Sequence, residues 1–239
     1  MVSGSTLHDN SAVEWESLPP LQLARPHWLP ALPGAQMVVA HAWDCGAQLL
    51  AAERQAIERA VPKRINEFAT GRVLARRAMA LLGLPAGAIG RDTSRRPLWP
   101  EGCTGSITHA DDLVVAAVAR ANTCASLGID LEQADRVTPA LHRKLLTASE
   151  LQRVEQEDAR FPALVFSAKE AGYKAVNPLV GKFIGFMEAE VDADWAAGRF
   201  RLRYVGEHEP NRVMDQGEGY FGFFERYVLS VFIIPRKQR

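Results

Sequence analysis

Apolar residues run at strand length from Met37 to Trp43, and from about Gly46 to Leu84 their spacing changes. Leu49, Leu50, Ala52 and Ile57 form one stripe, and Ile65, Phe68, Val73, Ala75, Ala78, Met79 and Leu82 form a second, closed by Gly83. Apolar positions three and four apart share one face at 3.6 residues per turn, so this region predicts helices. Residues 85–105 hold Pro85, Gly87, Gly90, Pro97, Pro100, Gly102 and Gly105, which is loop chemistry. The valine-rich run 112–119 predicts a buried strand, and 126–132 a second one beyond the turn-like 120–123. Helical periodicity returns over Pro139–Leu146. A further helix to about Asp158 is opened by the capping box of Thr147 and Glu150, and another covers Phe161–Val176, where Asn177-Pro178 predicts its end. Strand-like segments follow at Met187–Val191, Phe200–Val205, Tyr220–Phe224 and Arg226–Ile234.

Strand, helices and strands therefore occur twice, which predicts an α+β fold of two similar halves, antiparallel strands packed on helices, joined near residue 125. The predicted organisation is an irregular Ser- and Pro-rich arm over 1–34, an N-terminal half over 35–124 and a C-terminal half over 125–239. Only the order of elements carries the duplication, since the residues show no repeat.

Composition narrows the function classes. In 239 residues, 28 Lys+Arg balance 28 Asp+Glu and 47% are hydrophobic, which excludes wholesale disorder and a nucleic-acid coat. Cys45, Cys103 and Cys124 are too widely spaced for a zinc knuckle or a disulfide framework and suit a reducing compartment. There is no basic, apolar leader and no run of 18 apolar residues, so the expectation is a cytoplasmic protein without membrane insertion. The neutral total hides a segregation: residues 59–96 sum to +7 and residues 129–158 to −3. Gly217–Gly222 satisfies the dinucleotide spacing GxGxxG but precedes a strand instead of opening a helix. Neither a phosphate-loop motif nor a zinc-type histidine pair is present.

Three clusters carry candidate chemistry. Asp130 and Glu132 alternate with Ile129 and Leu131, so on a strand both carboxylates face one way and the aliphatics face the core. Such a pair, completed by phosphates and water, suits Mg²⁺; taken alone it is also what two exposed acids would give. Glu170 and Lys174 share a helix face at i and i+4, with Lys169 about 100° round, among the small or apolar Phe166, Ala171, Gly172 and Ala175. Thr108 and His109 stand between the loop region and a strand, where a hydroxyl and an imidazole can bind phosphate oxygens.

Gly128-Ile-Asp130-Leu-Glu132, followed by Phe166-Ser-Ala-Lys169-Glu170-Ala-Gly-Tyr-Lys174, resembles the two signature motifs of the phosphopantetheinyl transferases. Gly105–His109, Arg96–Pro100 and Asn66–Arg72 are also similar, and point to the monomeric Sfp-type branch that includes the enterobactin-synthetase activators. The resemblance covers about residues 37–192. It implies halves related by a pseudo-twofold axis, with the active site in the cleft between them. It implies transfer of 4′-phosphopantetheine from coenzyme A to a serine of apo acyl or peptidyl carrier proteins, in fatty-acid, polyketide, nonribosomal peptide or siderophore synthesis. Adenosine 3′,5′-bisphosphate is released, and Mg²⁺, or Mn²⁺ in its place, is required. Asp130, Glu132 and Glu170 would hold the metal, and Glu170 would also be a candidate for the serine's base, two roles that compete. Lys169 and Lys174 would neutralise phosphate, Lys174 on the departing group. Thr108 and His109 would face the nucleotide's phosphates, and Arg72, Arg96 and Arg64 the adenosine 3′-phosphate. The other readings are an inactive module that binds coenzyme A or a carrier protein, and a magnesium phosphohydrolase of coenzyme A.

Overall fold

The computed structural model describes residues 34–206 and 213–237, so all but Gly34 of the expected N-terminal arm lies outside the described residues. The first half comprises β1 (Ala35–His41), α1 (Ala51–Arg54), α2 (Pro62–Leu81), β2 (Gly90–Arg91), β3 (Pro97–Leu98), β4 (Cys103–Ala110) and β5 (Leu113–Arg120). The second comprises β6 (Cys124–Gln133), α3 (Pro139–Leu145), α4 (Ala148–Arg153), α5 (Phe161–Val180), β7 (Ala189–Asp194), β8 (Arg199–Tyr204), β9 (Glu218–Phe224) and β10 (Tyr227–Pro235).

The architecture is α+β with antiparallel pairing throughout, and the halves repeat one topology. In the first, the order is β1-β5-β4; in the second, β6-β10-β9, extended by β8 and β7. Each half thus runs strand, helices, hairpin, and the hairpin's later strand inserts beside the first strand. Packing follows from alternation. Ile129, Leu131, Leu229 and Val231 meet Met37, Val39, Val115 and Ala117 in a core shared by the two sheets, while α2 and α5 cover the outer faces. Full burial of one such aliphatic side chain contributes roughly 1.5–3 kcal/mol, so the shared core binds the halves together. The three cysteines are buried free thiols.

Gly128 on β6 decides how close α5 can come. A Cβ there would press on the Ala171 carbonyl oxygen and stand 2.7 Å from the Ala175 nitrogen, so only glycine lets the helix backbone lie on the strand. Ser167 Oγ donates to the Asp130 carbonyl at 3.1 Å and fixes the same contact.

The structure departs from the sequence expectation at three places. Residues 103–105, expected as the end of the loop, begin β4, because they pair with 118–120 of β5; farther along the strand Ser106 and Thr108 find partners across the seam. Their hydroxyls accept the amides of Ile129 and Leu131 at 3.1 and 3.2 Å, which satisfies one edge of β6. Helix α5 runs past Asn177-Pro178 to Val180 and closes on Gly181 at φ +67°. A single proline in the last turn costs one hydrogen bond, and the left-handed glycine supplies the stop. Helix α4 keeps the predicted Thr147–Glu150 capping box but ends at Arg153, short of Asp158.

Candidate active site

A cleft of about 560 Å³ opens between the halves, lined from the first by Arg64, Arg72, Arg91, Arg96 and His109 and from the second by Asp130, Glu132, Tyr173, Lys174 and Asn177. Its acidic end is built on β6 and α5. Asp130 is only 6% exposed. Its Oδ1 accepts from Lys174 Nζ at 2.7 Å and more weakly from Thr108 Oγ1 at 3.5 Å, while Oδ2 is buried with no hydrogen-bond partner. Lys174 Nζ also donates to the Ile129 carbonyl at 3.1 Å. Glu132 Oε1 accepts from Arg136 Nη1 at 3.1 Å and from its neighbour's amide, Gln133 N, at 3.0 Å. Burial raises the Glu132 pKa above the usual carboxylate value, and the charge of Asp130 adds to the rise against Arg136. Burial likewise raises that of Glu170, with Lys174 opposing and both Asp130 and Glu132 adding to it.

Three carboxylates feel one another and one keeps a buried oxygen unpaired, and carboxylate oxygens are the donors that hard divalent cations favour. No three His, Cys, Asp or Glu side chains among the described residues close around one point by themselves, and Lys174 stands against Asp130. The fit is therefore to an ion whose shell water or phosphate oxygens complete.

The basic end is built on α2 and the loop carrying β2 and β3. Arg72 and Arg91 both stack on the Phe68 ring, with guanidinium carbons 4.2 and 4.6 Å from its centroid. Arg72 Nη2 and Arg91 Nε are buried without partners. Burial, helped by the charge of Arg91, lowers the Arg72 pKa to about 10, and that of Arg91 is lowered by burial and by Arg64. Crowded guanidinium groups with unused N–H donors are an anion site. Arg96 is oriented by Asp92, its Nε 2.6 Å from Oδ2, and across the cleft by Asn177 Oδ1, 3.0 Å from its Nη1. His109 Nε2 accepts from Arg64 Nη1 at 2.7 Å. Burial lowers the His109 pKa; Glu67 opposes this, while Arg64, Lys174 and Lys63 add to it.

Asp130, Glu132, Lys174, Thr108, His109, Arg64, Arg72 and Arg96 thus line one cleft; Glu170 does not line it but a smaller pocket beside Lys169 and Tyr173, and is coupled to the cleft's acids electrostatically. Lys169 does not join them, which corrects the expectation that it neutralises phosphate. Its side chain is 2% exposed and its Nζ donates to Glu150 Oε2 at 2.6 Å, to the Phe186 carbonyl at 2.7 Å and to the Leu145 carbonyl at 2.9 Å. One step round the helix from Glu170 turns it inward, where it holds α4 and the segment after α5. The reading of the sequence missed Phe68, an unremarkable member of an apolar stripe, and Asn177, which looked like a helix stop. Arg91 counted only towards local charge.

A cleft with carboxylates at one end and unpaired guanidinium donors at the other suits a phosphorylated substrate. Residues 52–119 match the family model for the 4′-phosphopantetheinyl transferase N-terminal domain, and residues 126–231 that for the 4′-phosphopantetheinyl transferase superfamily. The chain is 39% identical to 4′-phosphopantetheinyl transferase Svp of Streptomyces mobaraensis over 74% of its own length and 75% of the relative's. It is 33% identical to 4′-phosphopantetheinyl transferase Npt of Nocardia iowensis over 75% and 83%. Against enterobactin synthase component D of Salmonella typhi the identity is 32%, over 54% and 55%. The chain belongs to the 4′-phosphopantetheinyl transferase superfamily and is an enzyme of that activity. No helix among the described residues is long and apolar enough to cross a membrane.

Proposed function

We propose that the chain moves 4′-phosphopantetheine from coenzyme A to a serine of an apo acyl or peptidyl carrier protein, with Mg²⁺ held by Asp130 and Glu132. The single observation that supports this reading is the junction itself: β6 sets Asp130 beside Lys174 of α5, and the Arg64–Arg72–Arg96 cations face them from the other half. The adenosine bisphosphate end lies along Arg72, Arg91 and Arg96, with Thr108 and His109 beneath the pyrophosphate.

Transfer forms a bond from serine oxygen to phosphorus and breaks the phosphorus–oxygen bond to the departing adenosine bisphosphate, so charge develops on oxygen. Glu170 takes the serine proton. Burial raises its pKa, which makes it a better base than an ordinary carboxylate. Asp130 and Glu132 therefore carry the cation, which when bound polarises the phosphates and offsets leaving-group charge. Lys174 meets the departing phosphate. Two halves in one chain already enclose the cleft, which supports a monomer as the active species, and three free thiols suit a reducing cytoplasm.

Incubation with an apo carrier protein, coenzyme A and Mg²⁺ should add the mass of phosphopantetheine to the carrier, read by mass spectrometry. Absence of the adduct on several carriers would overturn the reading. Cleavage of coenzyme A without a carrier would indicate the hydrolase instead.

A further inference from the structure

Behind the basic end lies a fully buried ion pair that touches no part of the cleft. Glu53 of α1 is 0% exposed, and both its oxygens accept from Arg76 Nη1 of α2, at 2.7 and 2.6 Å. Arg76 Nη2 then donates to the Gln48 carbonyl at 2.8 Å. Replacement of such a pair by apolar groups is often neutral, so stability alone gives little reason for it. Its remaining contacts point elsewhere. Glu53 Oε2 accepts the Leu50 amide at 2.9 Å, and Oε1 accepts the Ile89 amide at 3.0 Å. The carbonyl of that same Ile89 accepts Arg72 Nε at 2.8 Å, and Arg91 follows two residues on.

One peptide segment therefore joins the carboxylate to the guanidinium whose Nη2 is buried and unpaired at the anion site. Arg72 is held by this carbonyl on one side and by the Phe68 ring on the other. Four arginines crowd here, Arg64, Arg72, Arg76 and Arg91, and Glu53 is the anion whose charge favours ionised Arg72. Like charges of this density spread apart unless backbone anchors hold them.

We propose that Glu53 is a positioning residue for substrate: through Ile89 it holds Arg72 where the phosphates of the adenosine end bind, and it takes no part in the transfer step. The inference rests on the assignment of Arg72 to the nucleotide end.

The test is a mutant cycle of Glu53→Gln, Arg72→Ala and the double variant. Adenosine 3′,5′-bisphosphate binding is measured by calorimetry and the coenzyme A dependence of transfer by steady-state kinetics. Each single change should weaken nucleotide binding about tenfold. Glu53→Gln should raise KM for coenzyme A by a similar factor and leave kcat within about twofold. In the double variant, Glu53→Gln should add less than about twofold to the loss from Arg72→Ala, because its effect passes through Arg72. Should Glu53→Gln not fold, Glu53→Asp keeps the charge beside Arg76 while shortening the reach to Ile89, and replaces it in the cycle. Unchanged binding in the Glu53 variant alongside weakened binding in Arg72→Ala would overturn the proposal, as would full additivity or a fall confined to kcat. Unchanged binding in Arg72→Ala would instead remove the nucleotide assignment beneath it.

Discussion

Helices α2 and α5 are each 20 residues long, carry proline in the first turn and lie on a sheet built in the same order. They nonetheless face the cleft with different chemistry. Helix α2 presents Arg64, Phe68 and Arg72, and it is buried over the whole stretch from Glu67 to Arg76 because α1 and its flanking turns cover the side away from the sheet. Helix α5 presents Tyr173, Lys174 and Asn177 and stands against the carboxylates of β6. The repeated topology supplies the frame; the first half supplies most of the cleft's cations, and the second supplies Asp130 and Glu132 together with Lys174.

The division is broken most severely at the acids. Asp130→Ala should reduce carrier modification by about 10³-fold or more, since metal and Lys174 both lose their anchor, with the circular dichroism spectrum unchanged. Glu170→Gln should cost about 10² to 10⁴ in kcat. In the native enzyme the rate should rise with pH as Glu170 ionises, at a pH above the ordinary carboxylate range because burial raises its pKa. That limb should vanish in the variant, and its persistence would move the base elsewhere.

A sharper contrast lies within α5 itself. Lys169→Ala leaves the buried Glu150 without its counter-charge, which should cost about 3–5 kcal/mol of unfolding free energy, read by urea denaturation. The folded fraction should bind coenzyme A normally, opposite to Lys174→Ala. Gly128→Ala should cost about 1–3 kcal/mol and lower activity by lifting α5 from β6. The smallest effect is expected from Asn177→Ala, which frees Arg96 from the opposite half. About 1 kcal/mol is lost, seen as a several-fold rise in KM for coenzyme A.

Lys169 and Lys174 show how much of this was legible beforehand. Both stand beside Glu170 in a motif that points to phosphate, and spacing alone makes either a candidate. A position 100° round the helix becomes interior only once α4 and the segment after α5 pack there. Thr108 and Ser106 make the same point from a strand. Lying just past the Pro- and Gly-rich stretch, they give no sign of a strand until β5 pairs with them and β6 donates its amides. Asn177 was misread for a related reason, since Asn-Pro is a local stop signal and its partner Arg96 is 81 residues away.

Amino-acid order alone determined the twice-met succession of strand, helices and strands, the alternation that sends Ile129 and Leu131 inward and Asp130 and Glu132 outward, and the +7 and −3 segregation of charge. These depend on residues within a few positions of one another, where period and polarity act directly. Tertiary structure decided which lysine faces the cleft, that Phe68 carries two guanidinium groups, and that a buried Glu53 lies behind them. Each of those depends on partners distant in the chain, and burial and unpaired donors exist only once the halves have closed on each other.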